Sequence, residues 1–189
     1  MQVSEWQKKL PMRITLSRIF AVPLVVAAMW PAELHWNIVA AILFILASIT
    51  DYYDGYFARK YNAVSSMGKF MDPIADKILV TSVLAMLLSQ GKVDVMMVIL
   101  ILARDNFIGG IRSVAAADQI IIDAKPAGKW KTAMQMVALP IVIIGQITPW
   151  LPYFDKIGYG ILWVSVILSI TSGIEYYLGY LKSRKARNV

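Results

Sequence analysis

Six mostly apolar segments, separated by short breaks of turn-forming or charged residues, organise the whole sequence. A helix needs about 20 largely apolar residues to cross the roughly 30 Å of hydrocarbon in a bilayer. With 58% hydrophobic and 16% charged residues, the composition lies outside the usual range of soluble domains. The chain is therefore predicted to be an all-α integral membrane bundle, a single domain over residues 1–189. Its six transmembrane helices are expected near residues 12–31, 36–60, 67–90, 93–117, 127–148 and 157–181.

Lysine and arginine are divided very unevenly between the two sides that six spans would create. Of the 19, all but Lys92 and Lys156 lie near the termini or near the second-to-third and fourth-to-fifth connections. Positive charge in short loops favours the cytoplasmic side of a membrane. Both termini are therefore predicted to be cytoplasmic, and the protein is expected to be a multi-pass protein of the inner (cytoplasmic) membrane with no nucleic-acid partner.

Four aspartates are concentrated in the stretch TDYYDGYFARKYNAVSSMGKFMDPIADK, residues 50–77, between two apolar runs. Asp51 and Asp54 are three residues apart, and Asp72 and Asp76 are four apart, so each pair would share one face of a helix. A charge at membrane depth costs a few kcal/mol or more unless it faces a wet cavity or a partner. The stretch therefore predicts a polar cavity that opens to the cytoplasm.

Carboxylates that converge in a site of low dielectric must take up protons or share a cation. The sequence contains no cysteine, and hard oxygen ligands favour Mg²⁺ or Mn²⁺ over Zn²⁺. The alternative is that the aspartates are solvated or paired with Lys69 and Lys77. Gly55 and Gly68 would leave room beside the metal for a nucleotide, and Arg59 could pair with its phosphate, although either glycine alone could serve helix packing.

The same stretch reads D-x-x-D-G-x-x-A-R, eight residues, then G-x-x-x-D-x-x-x-D, and it resembles the signature of the CDP-alcohol phosphotransferases at every fixed position. This resemblance implies a six-helix membrane enzyme, usually a homodimer, that transfers a substituted phosphate from a CDP-linked donor to an alcohol and releases CMP. Two divalent ions would be bound by Asp51, Asp54 and Asp72, with Asp76 as a further ligand or the general base. Asp72 and Asp76 are thus the expected catalytic residues. The expected CDP contacts are Gly55, Ala58, Arg59 and Gly68.

Three further segments are similar to the bacterial phosphatidylglycerophosphate synthases of that family. LPMRITLSRI contains Thr15 and Arg18, which are added to the expected CDP contacts. ARDNFIGGIRSVAAA, in which Asp105 stands where glutamate is usual, and KPAGKWKTAMQMVAL bring basic residues to the same cytoplasmic end. The residues expected to bind the phosphate of the acceptor are Arg104, Arg112, Lys129 and Lys131.

The resulting hypothesis is phosphatidyl transfer from CDP-diacylglycerol, within the lipid bilayer, to sn-glycerol 3-phosphate. A same-family alternative uses inositol phosphate, or uses phosphatidylglycerol to make cardiolipin. A remote alternative is a divalent-cation transporter. A transporter needs a polar route through the whole bundle, whereas the outer halves of the predicted helices are almost entirely apolar.

Overall fold

The computed structural model describes the backbone of residues 18–60, 66–119, 126–145 and 153–187. It describes the side chains of the same ranges except residues 51–60, 66–73, 76, 126, 127, 129, 186 and 187. Six helices and no strands occur in these ranges, which confirms the all-α prediction for this part of the chain. The helices are α1 (Arg18–Met29), α2 (Leu34–Lys60), α3 (Ser66–Ser89), α4 (Val95–Ala117), α5 (Pro126–Gly145) and α6 (Phe154–Arg187).

The observed bounds of α2, α3 and α4 lie within two residues of the predicted ones. The end of α6 was predicted wrongly, because the helix continues to Arg187 rather than stopping at residue 181. The prediction ended where the apolar residues end. Lysine, arginine and alanine are good helix formers, however, and no glycine or proline follows residue 181 to interrupt the helix.

The turn between α3 and α4 shows why residues next to a helix end are enough to predict that end. Gly91 has φ +67°, a backbone conformation that glycine adopts without steric cost. The N–H of Gly91 donates to Leu88 O at 3.0 Å, and the N–H of Lys92 donates to Leu87 O at 2.9 Å. This pair of hydrogen bonds is a Schellman motif, which satisfies carbonyls that the end of α3 would otherwise leave unpaired.

Hydrogen bonds between helix ends identify one end of the bundle, which we call the turn end. Gln90 Nε2 donates to Met29 O at 2.6 Å, so the last residues of α1 and α3 lie together. Lys92 Nζ donates to Ile143 O at 3.0 Å, which adds the end of α5. The opposite end, where α2 finishes and α3 begins, is called the motif end because the aspartate-rich stretch lies there.

The core between the helices is apolar and close-packed, and among the described parts of α2 to α6 the most extensive interface joins α5 to α6. Leu84, Leu139 and Leu162 are fully buried in this core. Gly158 allows α6 to approach α5, since a Cβ at this position would lie 2.7 Å from Ile141 Cγ2. Large apolar side chains also cover much of the outside of the bundle, among them Phe20, Leu24, Ile42, Ile99, Phe107, Val137 and Ile167.

By length and composition, one helix in the described part of the chain can cross a membrane. This is α6, over Phe154–Lys185. Shorter apolar helical stretches occur in Arg18–Met29, Leu34–Thr50, Lys77–Ser89 and Trp130–Gly145. In α2 and α3 the helix continues beyond the apolar stretch into the charged residues between 50 and 77, so the short apolar runs do not mark short helices.

Candidate functional site

The aspartate-rich stretch forms the end of α2 and the beginning of α3. Asp51 and Asp54 lie one turn apart in α2, and Asp72 and Asp76 lie one turn apart in α3, which agrees with the helical spacing that the sequence predicts. The two helices contact each other. The side chains of all four aspartates lie outside the described residues, so their convergence on a metal stays a prediction.

The expected CDP contacts fall mostly outside the described part of the structure. This applies to Thr15 and to the side chains of Ala58 and Arg59, together with the surroundings of Gly55 and Gly68. Arg18 is the first described residue of α1, and only 1% of its surface is exposed. A guanidinium so deeply buried is held inside the protein rather than displayed to solvent.

A polar cavity of about 50 Å³ lies between α3, α4 and α5, large enough for a few water molecules. We call it the lysine cavity, because Lys77 of α3 and Lys131 of α5 stand on its wall. The full lining is Lys77, Val80, Thr81, Ile101, Leu102, Asp105, Asn106, Lys131, Thr132 and Gln135. Gln135 is 3% exposed, and its Nε2 has no hydrogen-bond acceptor among the described residues. The wall therefore has an amide donor available to a bound group.

Asp105 connects the basic residues around the lysine cavity. Its Oδ1 forms a short contact with Lys131 Nζ and lies 3.2 Å from Arg104 NH1. Its backbone carbonyl accepts a hydrogen bond of 3.0 Å from Lys77 Nζ. Three cations thus contact Asp105, two at its carboxylate and one at its backbone carbonyl. This excess of positive charge among the described side chains, in a largely buried setting, suits an anionic ligand.

Arg104 is directed away from the cavity toward α6. Its Nε donates to Ser169 O at 2.7 Å, and its NH2 donates to Ser172 Oγ at 2.9 Å. Gly173 lies against the same side chain, since a Cβ there would be 3.2 Å from Arg104 Nε. The guanidinium is bound by the protein itself, and Arg104 does not line the cavity.

The other two expected acceptor residues are arranged differently. Arg112 is exposed two turns beyond Arg104, with its guanidinium carbon 5.5 Å from the centre of the Tyr176 ring, in the geometry of a cation–π contact. It does not line the lysine cavity. Lys129 is in the first turn of α5, and its side chain lies outside the described residues. Of the four predicted basic residues, the structure joins Arg104 and Lys131, through Asp105.

Sequence reasoning missed several residues of this site. Lys77 was considered only as a partner for aspartates, although its position directly after Asp76 links it to the signature stretch. Asp105 was noted as the acidic neighbour of Arg104, but no role in the site was assigned to it. Ser169 and Ser172 offered no signal, because serines three residues apart in an apolar helix are also typical of ordinary helix packing.

Comparison with known proteins shows similarity over most of the chain. The model of the CDP-alcohol phosphatidyltransferase family matches residues 8–171. A CDP-diacylglycerol–glycerol-3-phosphate 3-phosphatidyltransferase of Rickettsia bellii is 41% identical over 170 residues, covering 90% of this chain and 94% of the relative. The protein of the same name from Bacillus subtilis is 35% identical over 192 residues, covering 95% of this chain and 98% of the relative. The Arabidopsis thaliana protein CDP-diacylglycerol–glycerol-3-phosphate 3-phosphatidyltransferase 2 is 35% identical over 193 residues, covering 93% of this chain and 81% of the relative.

Proposed function

Because the chain belongs to the CDP-alcohol phosphatidyltransferase family, we propose that it transfers the phosphatidyl group of CDP-diacylglycerol to sn-glycerol 3-phosphate, giving phosphatidylglycerophosphate and CMP. The names of the relatives support this donor and this acceptor. The observation on this chain that carries the proposal is the lysine cavity, where Lys77 and Lys131 offer ammonium groups to a phosphate. The product places the enzyme in phospholipid biosynthesis.

The bundle spans the inner membrane six times, with both termini and the motif end on the cytoplasmic side. Support comes from large exposed side chains on the outer faces of several helices, such as Leu24, Ile42, Ile99 and Ile167. Exposed apolar surface on this scale is unusual for a soluble protein and is satisfied by lipid. The distribution of lysine and arginine supports the orientation.

The four aspartates are the proposed metal ligands. Asp51, Asp54, Asp72 and Asp76 carry this proposal through their residue type and spacing. Their carboxylates are the hard oxygen donors that Mg²⁺ and Mn²⁺ prefer, and their one-turn spacing on two neighbouring helices fits a shared site. A pair of such ions would offset the charge of the diphosphate and stabilise the departing CMP.

The remaining chemistry is assigned to residues of the chain. Asp76 takes the proton from the attacking hydroxyl of glycerol 3-phosphate, and Asp72 is the alternative base. The hydroxyl oxygen forms a bond to the phosphorus that carries the diacylglycerol. The bond from that phosphorus to the CMP oxygen breaks, and CMP leaves with the electron pair. Positioning the two reactants supplies much of the rate enhancement in such a displacement.

Two groups of residues position the reactants. CDP lies against the motif end, bordered by Thr15, Arg18, Gly55, Ala58, Arg59 and Gly68. The acceptor phosphate is held by Lys131 and Lys77, with Lys129 and Arg112 nearer the cytosol. Lys77 directly follows Asp76 in α3, so the acceptor group and the proposed base share one helix. This continuity supports placing the acceptor hydroxyl beside the aspartates while its phosphate occupies the cavity.

Purified protein in lipid vesicles with Mg²⁺ and CDP-diacylglycerol tests this function. Glycerol 3-phosphate, inositol phosphate and phosphatidylglycerol are offered separately, CMP release is measured, and the lipid product is identified by mass spectrometry. We expect CMP with glycerol 3-phosphate. If CMP is released only with another acceptor, the chain is a same-family enzyme that uses that acceptor. If no acceptor leads to CMP release, the proposed reaction is contradicted. Cross-linking in the same vesicles tests the expected homodimer.

The same vesicles distinguish the enzyme from a cation transporter. A transporter needs a polar route to the turn end, where the fully buried side chains include Met29, Leu84, Leu87 and Ile143, with Asn37 as a buried polar residue. This largely apolar packing argues against transport. Uptake of Mn²⁺ without CMP release would favour it.

A further inference from the structure

We propose that Arg104 and Asp105 are positioning residues, which hold the Lys131 ammonium at the wall of the lysine cavity, and that α6 holds Arg104 in turn. The relevant surface of α6 consists of Ser169, Ser172 and Gly173, which we call the α6 notch. This inference rests on the proposed function, because it concerns how the acceptor phosphate is recognised. It assigns a role to a helix that does not line the cavity.

The contacts of Arg104 explain why it acts from a distance. Nε and NH2 are committed to Ser169 O and Ser172 Oγ, at 2.7 and 2.9 Å. NH1 lies 3.2 Å from Asp105 Oδ1. A planar guanidinium that is held at three of its nitrogens has little freedom to turn toward a substrate. Its remaining effect on the cavity is exerted through Asp105.

The α6 notch is shaped for this side chain. Ser172 and Gly173 lie three and four residues after Ser169, so both are its neighbours on one face of α6. At Gly173 a Cβ would be 3.2 Å from Arg104 Nε, closer than most side-chain contacts, and 3.4 Å from its Cγ, at the near limit of ordinary contact. A glycine therefore lets the arginine lie flat against the helix, where it reaches both hydrogen-bond acceptors.

Asp105 transmits this order to Lys131. The Lys131 side chain is 6% exposed and touches the same Oδ1 that faces Arg104. A lysine has four rotatable bonds, and ordering them costs conformational entropy. When the carboxylate has already ordered the ammonium, an incoming phosphate does not bear that cost again, and it binds more tightly.

Part of the α6 notch lies outside both the segment that the family model matches and the lining of the cavity. Ser172 and Gly173 lie beyond residues 8–171, which the family model matches, and all residues that line the cavity belong to α3, α4 and α5. Acceptor affinity is nevertheless expected to depend on this helix. A substitution in the notch should affect the acceptor and leave the lipid donor unchanged.

Steady-state kinetics with both substrates test this separation. Gly173→Ala crowds Arg104 and Ser172→Ala removes its partner, whereas Gly160→Ala is the matched control on α6 because a Cβ there meets nothing within 4 Å. We expect the first two to raise KM for glycerol 3-phosphate about three- to tenfold, with KM for CDP-diacylglycerol unchanged. Asp105→Glu, which keeps the charge, should retain more acceptor affinity than Asp105→Asn.

A second measurement does not require turnover. Lys131 is modified with a water-soluble amine-reactive ester. The rate of its modification is measured by peptide mass spectrometry and compared with that of the exposed Lys185. Notch variants should label Lys131 faster, because its ammonium is less firmly held. If Gly173→Ala does not fold, Ser172→Ala alone decides the result.

The outcomes separate this inference from the proposed function. An unchanged KM for glycerol 3-phosphate together with unchanged labelling overturns the positioning role, as does an equal rise in both KM values. If the wild type releases no CMP with glycerol 3-phosphate, the proposed function fails. Faster labelling of Lys131 in the variants would then still support the positioning role, and unchanged labelling would overturn it.

Discussion

Among the described lysines, the half-buried Lys92 and the buried Lys131 have different surroundings. At the turn end, Lys92 Nζ donates to Ile143 O at 3.0 Å, where α5 finishes. Carbonyls at the end of a helix lack partners within it and carry a partial negative charge, so a cation there is satisfied without a carboxylate. Halfway along the bundle, Lys131 meets Asp105, which also contacts Arg104, at the edge of a cavity. The first lysine closes a helix end, whereas the second belongs to a binding site.

This comparison shows that burial of a charge is not by itself a sign of function. Lys92 also lines an open pocket, which it shares with Asp155 and Lys156. What separates the two places is the excess of cations at the lysine cavity, where Lys77, Arg104 and Lys131 all contact Asp105. Substitutions of matched residues at the two places therefore test this difference.

The largest effect is expected at the motif end, where the chemistry is proposed. Asp72→Asn keeps the size of the side chain and removes a metal ligand, so kcat should fall by about a thousandfold or more. Helix content by circular dichroism should stay unchanged. Full activity in this variant would show that the four aspartates do not form the metal site.

The next effect compares the two lysines directly. Lys131→Met should raise KM for glycerol 3-phosphate about ten- to a hundredfold, since hydrogen bonds to charged groups are among the stronger ones. KM for CDP-diacylglycerol should hardly change. Lys92→Met is the matched control at the turn end and should leave both KM values as they are. If both substitutions raise KM for glycerol 3-phosphate equally, Lys131 has no specific part in acceptor binding.

A smaller effect is expected from crowding Lys77. A Cβ at Gly109 would lie 2.6 Å from Lys77 Nζ, whereas one at the neighbouring Gly110 meets nothing within 4 Å. Gly109→Ala should displace the flexible ammonium and raise KM for glycerol 3-phosphate about threefold, with little loss of stability. Gly110→Ala should behave like the wild type. If both alanines act alike, Lys77 has no part in acceptor binding.

The smallest effect concerns the stability of the turn end. Burial lowers the pKa of Lys92 below its ordinary value of 10.5, because desolvation disfavours the charged form. At pH values below the lowered pKa, both folded and unfolded chains are protonated and the full penalty is present. As pH rises from there toward 10.5, the folded chain loses the proton first, and the penalty is relieved. The melting temperature of the wild type should therefore rise relative to Lys92→Met in this alkaline range only, as measured by thermal unfolding in detergent. A difference that does not change with pH would contradict this account.

Local patterns in the sequence were enough to locate several helices. The end of α3 and the start of α4 follow from Gly91 and Asp94, which interrupt the apolar runs within a few residues. The helical spacing of the four aspartates is likewise local, and the backbone confirms it. The end of α6 was missed because hydropathy marks the end of an apolar face, while helix propensity decides where the helix stops.

The all-α class, the family signature and the excess of cations at one end could be read from the sequence, since each depends on residue type and on spacing within one helix. The grouping of the cations could not, because it depends on tertiary packing. Arg104, Arg112 and Lys131 look alike in the sequence, yet one is bound by α6, one stacks on Tyr176 and one lines a cavity. The physical reason is that these contacts join helices distant in sequence, and the rotation of each helix about its axis is set by packing.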